Sequence, residues 1–155
     1  MTFHQKLIQS ASLLTLALCT PVFAGGAENW ATLSDILAVG LPTVALGMAW
    51  EQENTEGVKQ LGYSIGGAFA GSVLLKNAIY APRPDGSDNQ SFPSGHAAVA
   101  FAAASFVDRR YGGSSPYVPW LYAAAGITGV ARVMSDKHYW QDVLGGGALG
   151  FMATQ

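Results

Sequence analysis

Five apolar stretches, residues 33–50, 61–80, 94–107, 119–133 and 138–155, follow one another with polar connections between them. None carries the apolar–polar alternation of a half-buried strand, and their lengths suit helices. This pattern limits the chain to one class of fold. Small residues fill the stretches: there are 19 glycines and 24 alanines among 155 residues. At that density helices can pack with their backbones close together. Gly67 and Gly71, four apart, are expected to form such a face on the second helix. The spacing therefore predicts an all-α bundle of about five helices, a single domain over residues 25–155.

The connections read from their own composition. Residues 51–59 are polar and acidic, a solvated link. Residues 81–93, with three prolines, a glycine and two aspartates, form a loop. Residues 108–116 form another, around Gly112-Gly113.

Only 12% of the residues are charged. So few polar groups would struggle to cover a soluble bundle of this size, so the bundle is expected to be embedded in a membrane. The net charge of −2 speaks against a nucleic-acid partner. Cys19 is the single cysteine, which excludes an internal disulfide and a zinc site built on cysteines.

Residues 1–24 read as an export signal. Lys6 gives a basic start, residues 7–19 an apolar run, and Val22 and Ala24 small residues ahead of a cut before Gly25. The alternative is an uncleaved first membrane helix, but the run is short for a span and contains Pro21.

Three polar clusters stand at the edges of the apolar stretches. Lys76 lies in the last turns of the second helix, and Arg83 follows between Pro82 and Pro84, which stiffen its backbone. Pro93-Ser94-Gly95-His96 opens the third helix: Ser94 suits an N-cap, and such a helix start attracts anions. Arg132, His138 and Asp142 form the third cluster. On a helix, His138 and Asp142 would share one face, the aspartate orienting the imidazole. Each cluster alone has an ordinary structural explanation as a helix-end cation, a plain cap or a surface pair.

Topology joins them. In an up-and-down bundle the second helix ends, the third begins, the fourth ends and the fifth begins at one mouth. With a cleaved signal Gly25 is outside, and so is the mouth. An uncleaved first helix with Lys6 inside gives the same result. Arg109 and Arg110 then face the cytoplasm. Two arginines, a lysine, a helix start and two histidines describe a pocket for a phosphate-like anion. No cage of acids or histidines offers itself to a metal, so no cofactor is expected. His138 is the natural nucleophile and His96 the natural general acid.

At these residues the chain resembles the type 2 phosphatidic acid phosphatase and vanadium haloperoxidase superfamily. Lys76, six residues, Arg83-Pro84 is similar to that family's first motif. Pro93-Ser94-Gly95-His96 is similar to its second, and Arg132, five residues, His138, three residues, Asp142 to its third. The resemblance implies a phosphohistidine on His138, oriented by Asp142, with His96 protonating the leaving group. It further implies that Lys76, Arg83, Arg132 and the Ser94-Gly95 region bind phosphate. The sequence departs from the family at Ala131, where the family carries serine. The expected function is a metal-independent phosphatase acting on a lipid phosphate or diphosphate monoester at the periplasmic face of the inner membrane. Two alternatives stand beside it: a soluble periplasmic acid phosphatase of broad choice, and a non-catalytic phosphate- or lipid-binding relative.

Overall fold

The computed structural model describes residues 26–53, 55–112 and 115–155. The expected signal, residues 1–24 with Lys6 and Cys19, lies outside the described residues. These form five helices: α1 (Ala27–Glu51), α2 (Thr55–Ala78), α3 (Gly95–Tyr111), α4 (Val118–Met134) and α5 (Trp140–Met152). No strand occurs among the described residues; one isolated bridge, Ala81 with Gln90, pins the connection between α2 and α3. The all-α bundle expected from the apolar stretches is the fold observed.

Three helices run longer than the sequence reading: α3 ends at Tyr111, inside the expected loop 108–116, and two others start early. α1 starts at Ala27 and continues through Pro42. α2 starts at Thr55, so much of the expected link 51–59 is helical. Lys59 and Glu56 pair across that first turn at 2.8 Å, which suits a polar turn to a helix.

α3 lies at the centre and touches all four other helices, while α1, α2, α5 and α4 close a ring around it in that order. Its composition explains the place. Ala97, Ala98, Ala100, Ala102, Ala103 and Ala104 are all buried. A methyl group is small enough for neighbours to approach on every side. Larger core residues fill the far half: Leu41, Leu61, Phe106, Val107, Tyr111 and Leu121 form one cluster.

The closest backbone approach falls on α5. A Cβ on Gly146 would lie 2.3 Å from the Ser94 carbonyl oxygen, and one on Gly150 would lie 2.1 Å from that of Ala98. Gly67 and Gly71, the pair expected to do this, meet only side chains, Ala153 at 3.8 Å and Leu149 at 3.1 Å. The expectation fails because α2 faces the side chains of α5, whereas α5 lays its glycines on the alanines of α3. Gly150→Ala is therefore expected to cost about 1–3 kcal/mol through overpacking. Gly66→Ala, with nothing within 4 Å of the added carbon, is expected to gain about 0.5–1 kcal/mol. Thermal unfolding of the two variants in the same detergent checks both signs.

The connections 79–94 and 135–139 lie side by side at one end. The Asp85 N–H donates to the Asp136 carbonyl at 3.1 Å, and the Ser94 N–H to that of Asp142 at 2.9 Å. Lys137 Nζ reaches Asp85 Oδ2 at 2.6 Å. Among the described residues α1 is the helix long and apolar enough to cross a membrane. The outer surface is apolar elsewhere too: Trp50, Tyr63, Leu74, Tyr80, Trp120 and Leu144 are each 71–77% exposed.

Candidate active site

Lys76, Arg83, His96, Arg132 and His138 line one cavity of about 370 Å³, with Gly95 in its wall. Residues from three separate stretches of chain thus meet at the mouth where alternating helix directions place them. Ala38, Phe69, Val73 and Val99 add apolar surface to the wall, and Ser72 adds a hydroxyl.

The α2–α3 loop holds its cations by folding on itself. Gly86, at φ +69°, makes the turn, and the Arg83 N–H donates to the Asp88 carbonyl at 3.0 Å. Arg83 Nε donates to Asp88 Oδ1 at 2.7 Å, and Nη1 to the Lys137 carbonyl at 3.3 Å. The Asp88 carboxyl is held below the usual carboxylate range by Arg83, and that of Asp85 by Lys137. Lys76 Nζ donates to the carbonyl oxygens of Gln90 and Ser91, which fixes the loop to the end of α2.

Arg132 is 7% exposed. Its Nη1 donates to Ser34 Oγ at 3.2 Å and lies 3.7 Å from Asp35 Oδ1. Its Nε is buried with no partner among the described residues. A buried donor left unpaired costs about 1–3 kcal/mol, which an anion bound at this cation can recover.

His138 is buried, and its backbone N–H donates to the Arg132 carbonyl at 3.1 Å. It lies in the connection ahead of α5, not on it, so it and Asp142 do not share a helix face as expected. Asp142 stands in the first turn of α5 and reaches back instead. Its Oδ2 accepts from the Tyr139 N–H at 2.8 Å, tying down the start of α5, and from the Ser91 hydroxyl. Asp142 Oδ2 and Ser91 Oγ each lie 3.5 Å from His138 Nδ1. Burial first, then Arg132, Lys76 and Arg83, hold the His138 imidazole well below its ordinary range, against the pull of Asp142. At neutral pH the ring is uncharged and has a free lone pair for chemistry.

His96, in the first turn of α3, has Nε2 2.8 Å from Asp35 Oδ1. Ser94 is the N-cap of α3, as expected: it is fully buried and accepts from the Ala97 N–H at 3.4 Å. The cap uses one lone pair of the Ser94 hydroxyl and leaves its O–H free to donate; of the Ser94-Gly95 pair, Gly95 lines the cavity. Ala131 is buried against Leu33, with Trp30 and Leu37 beside it, in a patch of α1. Ser34, Asp35, Ser72 and Ser91 also stand at this candidate site, and sequence reasoning did not place them there. A lone carboxylate inside an apolar stretch could have flagged Asp35; nothing in the local pattern marks the three serines. Among the described residues no group of three or more His, Cys, Asp or Glu could hold a metal ion.

A family model described as the PAP2 superfamily matches residues 57–155. The chain is 42% identical over 74 residues to a lipid A 1-phosphatase of Porphyromonas gingivalis, a match covering 47% of this chain and 17% of that protein. It is 39% identical over 79 residues to a lipid A 4'-phosphatase of Helicobacter pylori, covering 49% of this chain and 38% of that one. The chain thus spans under two fifths of the length of either relative. Its fold is similar to the crystal structure of LpxE from Aquifex aeolicus, with a TM-score of 0.58 and 21% identity over 83% of this chain and 92% of that one. It is also similar to a PAP2-type phosphatidylglycerolphosphate phosphatase from Bacillus subtilis, with a TM-score of 0.63 and 24% identity over 96% and 83% of the two chains.

Proposed function

The chain belongs to the PAP2 superfamily, and from that premise we propose that it is a metal-independent phosphatase of a lipid phosphate or diphosphate monoester. The observation that carries this reading is the convergence of Lys76, Arg83, Arg132, His96 and His138 on one cavity that apolar side chains also line. Three cations meet the charge on the phosphoryl oxygens, which is the main task in phosphoryl transfer. The uncharged His138 attacks phosphorus through the nitrogen not facing Asp142 and Ser91. The phosphorus–oxygen bond to the leaving group breaks as the bond to His138 forms, and His96 gives its proton to the departing oxygen. Water then attacks the phosphohistidine, His96 takes up a proton from it, and phosphate leaves.

A lipid substrate suits the surroundings of the cavity. The relatives named above are phosphatases of phosphorylated lipids. α1 can cross a bilayer, and the exposed aromatic and aliphatic side chains can lie against lipid. We place the mouth on the periplasmic side of the inner membrane, because residues 1–24 read as an export signal; of the cations at the mouth, Lys76, Arg83 and Arg132 belong to the site, which leaves Lys137 there against Arg109 and Arg110 at the other end. The test is release of inorganic phosphate by the purified protein in detergent from phosphatidate, phosphatidylglycerophosphate, lipid A and an isoprenyl diphosphate. Release from at least one supports the reading. Binding of these lipids without release identifies a non-catalytic relative, and release from soluble esters alone identifies a broad acid phosphatase.

A further inference from the structure

We propose that Asp35 of α1 is a positioning residue for the reaction: its carboxylate holds Nε2 of His96, so that Nδ1 meets the leaving oxygen. The proposal rests on the phosphatase reading above, in which His96 is the acid.

The contact itself fixes the ring. Asp35 Oδ1 lies 2.8 Å from His96 Nε2, and an ionised carboxylate can only accept. Nε2 therefore carries the hydrogen, and Nδ1 is the nitrogen left for the substrate. Asp35 is the one acid of α1 away from its ends, since Glu28 lies in the first turn and Glu51 is the last residue. A carboxylate within such an apolar helix needs a reason. Stability does not supply it: the Asp35 side chain is 63% exposed, and an exposed pair contributes little.

The surrounding charge supplies one. His96 faces Arg132 at the end of α4 and Arg83 in the α2–α3 loop, and Lys76 lines the same cavity. Burial first, then Arg132 and Arg83, hold the His96 imidazole below its ordinary range, and Asp35 works against them by favouring the proton. Cations that bind phosphate would strip the acid of its proton without a carboxylate behind it. During the first step the proton passes from Nδ1 to the leaving oxygen as the phosphorus–oxygen bond breaks. The ring is then neutral, with its Nε2 hydrogen still on Asp35. In the second step Nδ1 takes the proton of the attacking water while the bond between phosphorus and His138 breaks.

The test compares wild type, Asp35→Asn and Asp35→Glu of the full chain in detergent, on dihexanoyl phosphatidate and on p-nitrophenyl phosphate. An alkoxide leaves only with a proton, whereas nitrophenolate leaves without one. Asp35→Asn is expected to lower kcat on the phosphatidate about tenfold or more, with KM nearly unchanged, and on the nitrophenyl ester by less than about threefold. Asp35→Glu restores part of the loss, and the melting temperature stays near wild type. The chain has three histidines, so 15N-histidine NMR resolves His96, assigned by its absence in His96→Ala. Its titration is expected to move down by about one pH unit in Asp35→Asn. Equal losses on both esters, or a His96 titration that does not move, overturns the proposal. Wild-type protein that turns over neither ester overturns the phosphatase reading, and the titration then decides by itself whether Asp35 holds His96.

Discussion

Replacing His138 with asparagine is expected to lower phosphate release by about 10⁴-fold or more, the scale on which covalent nucleophiles are lost. The amide keeps a polar group in the connection and leaves the backbone bond from residue 138 to the Arg132 carbonyl in place. The fold should therefore survive, and the melting temperature checks this. The loss should be the same for every leaving group, because no phosphohistidine can form. Denaturing the wild type during turnover of a radiolabelled substrate should trap an alkali-stable, acid-labile phosphate on the protein, and the variant should trap none. A variant with more than about one tenth of wild-type activity would remove His138 from the role of nucleophile.

Arg132→Gln is the second large effect expected, a loss of about 10²–10³-fold in kcat/KM, comparable to removal of an oxyanion donor. The reason is the unpartnered Nε: this cation is buried yet incompletely satisfied, which suits a group waiting for an anion. Arg132→Lys should not restore activity, because a single ammonium cannot reproduce the forked donors. The cost to stability should be small by contrast. The nearest acid, Asp35, is largely exposed and can be solvated by water once the guanidinium is gone. Removing a buried charge also removes its desolvation cost. Melting without ligand should thus stay within about 1 kcal/mol of wild type or rise. Melting with inorganic phosphate or vanadate should show a rise for wild type that the variant lacks. Loss of stability together with activity would make Arg132 a structural residue.

Much of this site was legible before any coordinates. Lys76 and Arg132 sit in the last turns of two helices and His96 in the first turn of another, as their places at the edges of apolar stretches required. Alternating helix directions then brought them to one end without a further assumption. The α2–α3 loop was equally plain from its prolines, its glycine and its aspartates. The relation of His138 to Asp142 was only half legible. Spacing brought them together, but the chain reaches that proximity because the Asp142 carboxylate turns back onto the Tyr139 N–H, not through one helix face. A spacing of four residues cannot say on which side of a helix boundary its first member falls.

The sequence by itself determined the helices of the described residues and the end at which the polar clusters gather, and it proposed the chemistry of those clusters. All of these follow from short-range rules: apolar runs, turn residues, caps, and the parity of an up-and-down chain. The tertiary structure alone decided that α3 is the axis and that Gly146 and Gly150, not Gly67 and Gly71, make the close contact. It alone brought Asp35 to His96 and Ser91 to Asp142. These outcomes depend on how each helix is rotated about its own axis and which neighbours it meets. That rotation is set by many small contacts spread over the whole bundle, each worth a fraction of a kcal/mol, and no local stretch of sequence contains their sum.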